Sequence, residues 1–439
     1  MRKTGWMRLL VSVLTAPALA AAAQAAPARS AAAQAGEEIV LRHALTGRAQ
    51  QTLATLVQRF NAEQKGRGSV LLQELRSVEP DARHQLPHLA LLDADDSMEF
   101  FGTRPRFKML YQVMAESREK LDTRRLFPLL VDAVDDTLGR LQALPLGLSL
   151  PVLMWNKEAF SKAGLDPEQA PKTWWEVQER AGKLYDAGSK CPFTSSRFAW
   201  VHLENLSSQH GEPFAVREKN GSTHVALNRL VDVKHIALLT SWYKSFYFHY
   251  FGSGAQSDRK FISGECAMWT GESSLYAEAM RGSFPVGVAE LPYYDDVRGA
   301  TPSKVLPDGA ALWVLAGYKK KDYQLAARFA SYMLSPQVQL EWVRATGYLP
   351  MTPAAIEALK AAGIAPTLLD AATRRLSERK SVTARTKHGA GLNRMREILN
   401  EEIAAVWANA KPAKEALDTA MQRFNGQSGG TGSRPSARR

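Results

Sequence analysis

From Glu38 to His43 apolar and polar residues alternate, the period of a half-buried strand. The spacing then turns helical, with Leu53, Leu56, Val57 and Phe60 on one face of a helix opening at Thr46. Strand signals return over residues 69–75 and 88–94, with helical or turn segments between them. Strand alternating with amphipathic helix is the rhythm of a parallel sheet covered by helices, so this part of the chain reads as an α/β lobe.

Residues 144–156 predict another strand, and a helical region begins after Pro171. There Thr173 is a candidate N-cap and Glu176, three residues on, completes a capping box. Ser335 before Pro336 marks a second helix start, with proline in the first turn. Further helices are expected near Asn400 and after Pro412, and the Gly-, Ser- and Arg-rich residues 426–439 are expected to be a disordered tail. The sequence shows neither an internal repeat nor a low-complexity linker, which favours two lobes joined by several crossings of the chain over two sequential domains.

Charge and composition change the picture mainly at the N-terminus. Arg2, Lys3 and Arg8 precede an apolar run from Leu9 to Ala23, followed by the small-x-small triplet Ala23, Gln24, Ala25, the pattern of a signal peptide over residues 1–25. The run is shorter than the ~20 residues a spanning helix needs, and no cysteine near the cleavage point offers a lipid acceptor. A later apolar stretch, Leu141 to Trp155, is interrupted by Pro145 and Pro151. The mature chain is therefore expected in an exported compartment, most simply a periplasm.

The 439 residues are enough for about two or three globular units, and 45% hydrophobic with 23% charged residues is ordinary for a soluble protein. Loss of Arg2, Lys3 and Arg8 lowers the formal charge from +12 to +9. The surviving cations are scattered along the chain and carry no nucleic-acid-reading motif, so the positive field reads as a solvated surface. Cys191 and Cys266 are the only cysteines; export permits a disulfide, but sequence leaves the pairing open.

The motifs of nucleotide, phosphate-loop and metalloprotease chemistry are absent. Gly147 to Pro151 has proline where a nucleophile elbow needs glycine, and Pro87 interrupts the helix that would align His84 with His88. The cluster Asp93, Asp95, Asp96 can be read as half of a glycosidase carboxylate pair, which makes a secreted carbohydrate-active enzyme the alternative. At the carboxyl end of a strand the same residues can instead accept hydrogen bonds from ligand hydroxyls.

The stretch LSLPVLMWNKEAFSKAGLDPEQAPKTWWEV, residues 148–177, resembles the signature region of the family 1 extracellular solute-binding proteins, in particular the branch that binds glycerol 3-phosphate. KFISGECAMWTGESS (260–274), DGAALWVLAG (308–317), EWVRATGYLPMTPAA (341–355) and NEEIAAVWANAKPAKEALDTA (400–420) extend the resemblance over nearly the whole mature chain. It implies a type II periplasmic binding protein fold of two discontinuous α/β lobes, residues 37–147 plus 309–347 and 148–308 plus 348–425. Three hinge crossings would fall near 147–152, 306–312 and 347–350, with the ligand between the lobes. It also implies a monomer that turns nothing over, needs no cofactor or metal, and delivers its solute to an ABC permease with a cytoplasmic ATPase.

Residue by residue, the resemblance places the ligand-contacting serine, glycine and tyrosine on Ser149, Gly309 and Tyr348. Elsewhere the pattern departs. The phosphate-binding arginine falls on His388, beside Lys387, and a ligand-contacting serine falls on Glu272, beside Ser273. The acidic contact falls near Asp93 to Asp95, and a tryptophan floor residue falls on Arg197, with Trp200 retained nearby. Histidine does not replace a two-pronged guanidinium for phosphate. Either Arg197, Lys387 and His388 rebuild the anion site, or the ligand has changed to a glycerophosphodiester or another sugar or polyol derivative; the departures favour a changed ligand. The aromatic segment Trp242 to Phe251 offers either a stacking surface or ordinary core.

Overall fold

The computed structural model describes residues 37–75, 86–93, 106–136, 138–212, 215–217, 223–300, 304–364, 376 and 392–428. The expected signal peptide and the residues 429–439 of the expected tail lie outside them. In chain order the strands are β1 (Glu37–His43), β2 (Gly68–Glu74), β3 (Leu89–Asp93), β4 (Leu144–Ser149), β5 (Pro151–Asn156) and β6 (Cys191–Ser195). They continue with β7 (Ala215–Arg217), β8 (Thr223–Val225), β9 (Phe248–His249), β10 (Cys266–Glu272), β11 (Val286–Glu290) and β12 (Asp308–Val314).

Two five-stranded mixed sheets carry the fold, ordered β2-β1-β3-β12-β4 and β11-β5-β10-β6-β9, and β7 and β8 form a separate hairpin. In the first sheet β1 is parallel to β2 and β3, while β12 runs antiparallel between β3 and β4. The near-continuous apolar reading of β3, β4 and β5 follows from burial on both faces, because helices cover each side. Helix α1 (Gly47–Gln64) turns Leu53, Leu56, Val57 and Phe60 into the first core. That core also holds Leu41, Leu91, Leu312, Phe329 and Trp342. A second core gathers Trp174, Phe193, Trp200, Trp242 and Phe248 with Leu399 and Leu417 from the C-terminal helices.

Start signals read from sequence are present with one local change. Thr173 Oγ1 accepts from the Glu176 N–H at 3.1 Å, but the Glu176 carboxylate reaches the Lys172 N–H at 2.7 Å instead of that of Thr173. Pro336 opens the Pro336–Thr346 helix after Ser335, whose side chain makes no capping bond. At the C-terminus the Ala413–Ser428 helix continues two residues past Gly426, so residues 426–428 belong to a helix and not to the tail.

The single strand expected over residues 144–156 is two strands in different sheets. Ser149 pairs with Asp308 in the first sheet, and two residues later Pro151 pairs with Glu272 in the second. Leu150 is thus the first crossing, pinned by its N–H donating to Ser273 Oγ at 3.0 Å and its carbonyl accepting from the Ser273 N–H at 2.8 Å. The return crossing lies at Val305 and Leu306, which enter the first and second cores respectively. The Leu306 carbonyl accepts from Trp200 Nε1 at 3.1 Å, and its N–H donates to Asn205 Oδ1 at 2.7 Å.

The third crossing is not at residues 347–350. Leu349, Met351 and Ile356 pack into the first core, and the Pro353–Ala361 helix lies on the Pro336–Thr346 helix. Leu376 is still in the first core, and Met395, the next core residue described, is in the second. Residues 349–364, expected with the second lobe, therefore pack with the first.

Cys191 and Cys266 are bonded across the parallel strands β6 and β10, with Cα atoms 4.5 Å apart and a sequence separation of 75. Closing a loop of that size in the unfolded chain stabilises by about 4 kcal/mol in the chain-entropy account. A Cys191→Ala/Cys266→Ala variant is expected to lose about that much in urea denaturation; an unchanged midpoint would deny the bond a role in stability.

Beneath the second sheet lies a dry histidine pair. His202 Nδ1 and His235 Nε2 are 2.9 Å apart, His235 Nδ1 is 2.7 Å from the Tyr294 hydroxyl, and Trp174 packs on both rings. Burial pushes His202 down to about 3 and His235 well below its usual value, the latter helped by the neighbouring histidines. Both depressions mean the unfolded chain binds more protons below about pH 6.5, so this stability is present above that pH and is lost as pH falls toward 3. Stability should fall by about 1.4 kcal/mol per pH unit per histidine below pH 6. Urea midpoints measured from pH 7 to 5 check this, and a profile unaltered in a His202→Gln/His235→Gln variant would contradict it.

Candidate functional site

The two sheets meet at a cleft of ≈ 320 Å³ lined from both lobes. The first lobe contributes Thr46, Gly47, Arg48 and Ala49, where β1 leads into α1, and Ala345, Thr346 and Tyr348 at the end of the Pro336–Thr346 helix. The second contributes Ser196 and Arg197 after β6, Asp258, Trp269, Glu272 and Ser274 around β10, and Leu275, Ala277, Glu278 and Arg281 just beyond it. Loops following the carboxyl ends of strands are where open α/β sheets place their ligands.

Arg197 is the centre of the cleft's charge. Its backbone is left-handed at φ 48°, a conformation costing an L-residue roughly 1–2 kcal/mol. Two ion pairs hold it: Nη1 lies 2.8 Å from Glu272 Oε1 and Nη2 lies 2.5 Å from Asp308 Oδ2. The guanidinium also sits 5.5 Å from the Trp200 ring. Asp308 is shared with Arg396 at 2.8 Å, and Arg396 reaches Glu204 through two bonds of 2.6 and 2.8 Å. The result is a row of alternating charge, Glu272, Arg197, Asp308, Arg396, Glu204, running from the cleft into the seam between the lobes.

Environment sets what these groups can do. Burial raises the Glu272 carboxyl above its usual range, and Asp308 adds to this while Arg197 opposes it. Burial works against the Arg197 charge, yet Glu272 and Asp308 together carry its pKa above the ordinary value. Burial, with the Glu272 charge, pushes the Tyr348 phenol up to about 12, so at neutral pH it is a hydrogen-bond donor. Asp258 is raised by burial despite bonds from Ser196 and from Trp269 Nε1, the latter at 3.0 Å. The floor thus offers carboxylates and a phenol suited to hydroxyl groups, with the face of Trp269 beside them.

Of the residues singled out in the sequence, Arg197, Glu272 and Tyr348 line the cleft together. Ser149 ends β4 opposite Asp308, is buried, and its hydroxyl has no hydrogen-bond partner among the described residues. Gly309 has φ 129°, and a Cβ there would come 2.1 Å from the Gly147 carbonyl oxygen, so glycine is required by the approach of β4. Its N–H already donates to Asp308 Oδ1 at 2.9 Å. Ser273 and Trp200 are buried and spend their polar atoms on the two crossings. Asp93 is half-buried at the end of β3, opposite Ala310. Asp95, Lys387 and His388 lie outside the described residues. Trp242 and Phe248 belong to the second core, which makes that aromatic segment largely core.

Asp308, Arg396, Glu204, Asp258, Arg48 and Arg281 escaped the sequence reading. Asp308 had the only usable signal, its place beside Gly309 in the DGAALW motif. Arg396 and Glu204 meet across 192 residues, and Arg48 and Arg281 reach the cleft from different lobes, for which sequence carries no local sign; Asp258 bonds Trp269 only 11 residues away but stands in no motif. Among the described residues no group of histidine, cysteine or acidic side chains could hold a metal ion, and no helix is long and apolar enough to cross a membrane.

A family model described as bacterial extracellular solute-binding protein matches residues 55–367. The sn-glycerol-3-phosphate-binding periplasmic protein of Yersinia pseudotuberculosis is 37% identical over 324 residues, covering 72% of this chain and 74% of its own length. That of Salmonella typhimurium is 37% identical over 326 residues with the same coverage. Among solved structures, UgpB from Mycobacterium tuberculosis in complex with glycerophosphocholine superimposes with a TM-score of 0.72 at 18% identity, over 89% of this chain and 98% of that one. A solute-binding protein from Agrobacterium radiobacter in complex with ribitol gives 0.70 at 16% identity, over 89% and 99%. These structural likenesses establish the fold, the type II two-lobe α/β architecture.

Proposed function

The chain belongs to the bacterial extracellular solute-binding proteins, and from that premise we propose that it is the periplasmic binding component of an ABC importer, enclosing one small polar solute between its lobes. The observation that carries this reading is the position of the cleft. It lies beside the crossings at Leu150 and Leu306, and its walls come from both sheets, so rotation about the crossings changes the enclosure directly. We take the lobes as residues 37–150 with 308–364 and 151–304 with 392–428, following the two cores, with Val305 and Leu306 in the return crossing.

Micromolar affinity corresponds to about −8.2 kcal/mol, or roughly −0.8 kcal/mol per atom for a ligand of about ten heavy atoms. An open patch does not reach that density of interaction, whereas two closing walls with preset polar groups do. The solute is a glycerol phosphate, a glycerophosphodiester or a related sugar or polyol derivative: hydroxyls meet Glu272, Asp258 and Tyr348, and a carbon face meets Trp269. Closure follows from the ligand's greater affinity for the closed form, which the permease then recognises. The partner ATPase supplies the energy, and the binding protein returns its solute unchanged.

The test is a thermal-shift series with sn-glycerol 3-phosphate, glycerophosphocholine, ribitol and maltose, followed by mass analysis of each mixture. A solute at a hundred times its Kd adds about 2.7 kcal/mol of stability, a rise of several degrees, and should be recovered intact. A chemically altered product that disappears in a Glu272→Gln variant would overturn this reading in favour of a carbohydrate-active enzyme.

A further inference from the structure

Resting on that reading of the cleft, we propose that Arg48 and Arg281, one from each lobe, clamp an anionic group of the solute across the cleft mouth, and that their mutual repulsion holds the empty protein open. Arg48 stands in the first turn of α1, whose apolar face is anchored in the first core. Arg281 follows the short Tyr276–Ala279 helix, anchored through Ala279 beside Val152 and Met154 of the second sheet. Both line the cleft, both are exposed, and neither makes an ion pair among the described residues.

Arg197 differs from them. Its charge is already shared by Glu272 and Asp308, so the floor of the cleft is acidic on balance and turns an anion away. At the mouth two cations face each other with Glu278 as the nearby carboxylate. Both arginines lie on the wall of the same cleft, and in keeping with that partial burial lowers the Arg281 pKa, the Arg48 charge lowers it further, and Glu278 opposes both. Rotation that narrows the cleft brings like charges together unless an anion lies between them. The first turn of α1 adds unpaired N–H groups on the same side, since Thr46 makes no side-chain cap and no acidic residue is present there.

The chemical class that fits both ends is a polyol carrying one phosphate: hydroxyls inward to Glu272, Asp258 and Tyr348, phosphate outward to the arginines. Arg48 and Arg281 are then specificity-determining residues that couple recognition of the charge to closure. The single charges at the mouth also predict a salt-dependent affinity for the phosphate-bearing solute and none for a neutral polyol.

Isothermal titration of the full chain with sn-glycerol 3-phosphate, glycerophosphocholine and ribitol tests the clamp in wild type, Arg48→Gln and Arg281→Gln, at low and high salt. Each variant should weaken a phosphate-bearing solute at least tenfold and flatten its salt dependence, while ribitol binding is retained and becomes tighter as the repulsion opposing closure is removed. Small-angle scattering should show the empty double variant more compact than the empty wild type. Phosphate binding indifferent to both substitutions, or a wild type that binds ribitol alone, would overturn the clamp while leaving the cleft as the binding site. A wild type that binds none of the three would overturn both.

Discussion

Replacing Arg396 with methionine is expected to lower folding stability by about 3–5 kcal/mol, the usual cost of removing one partner from a buried ion pair. Arg396 is the sole cation on Glu204 among the described contacts, and the Glu204 side chain is fully buried at 0% exposure. Asp308, 3% exposed, would retain Arg197, so most of the loss should come from Glu204. Stripped of its fork of two bonds, that carboxylate is left buried without a compensating partner. A double variant Arg396→Met/Glu204→Met should recover a large part of the loss, because the cost lies in the orphaned charge more than in the missing attraction. Urea denaturation of the two variants decides this; a loss below about 1 kcal/mol in Arg396→Met would mean the Glu204–Arg396 pair is solvated and contributes little to stability.

The second large effect is expected at Gly347, and on binding. Gly347 ends the Pro336–Thr346 helix in the left-handed region at φ 73°, and a Cβ there would come 2.1 Å from the Ser274 carbonyl oxygen. Gly347 packs with the first lobe and Ser274 follows β10 of the second, so the contact is a point where the lobes touch beside the cleft-lining Tyr348. Strain of about 1–3 kcal/mol placed there can be relieved by parting the lobes, which opposes closure. A Gly347→Ala variant should therefore bind the solute about 5- to 150-fold more weakly. Titration calorimetry is the check, with thermal unfolding of the empty protein as control. Affinity equal to wild type would show that closure does not bring this seam under load.

Much of the framework was legible because it is local. The alternation of β1, the apolar face of α1 and the Thr173 cap depend on neighbours a few residues apart, and the structure has all three. The crossing at Leu150 was legible in position but not in form: an unbroken apolar run conceals that Ser149 and Pro151 belong to different sheets, since both strands are buried on both faces. The crossing assigned to residues 347–350 shows the limit more clearly. Gly347 does end a helix at the seam, but where the chain goes next is decided by Met351 and Ile356 packing into a core drawn from Ile39 to Leu150 and from Val305 to Trp342. The site follows the same division. Glu272, Arg197 and Tyr348 were found through motif positions. Their meaning changed when Arg197 proved to be already paired, with Asp308 and Arg396 behind it and, at the mouth, two arginines that make no ion pair among the described residues.

The central claim, that a solute is enclosed between the two sheets beside their crossings, is tested most directly by a crystal structure of the protein grown with whichever solute stabilises it. The account predicts that solute in contact with Glu272 and Tyr348 on one side and with the first turn of α1 on the other, with the lobes drawn together around it. A solute bound on an outer face, with Arg197, Glu272 and Tyr348 untouched, would contradict it.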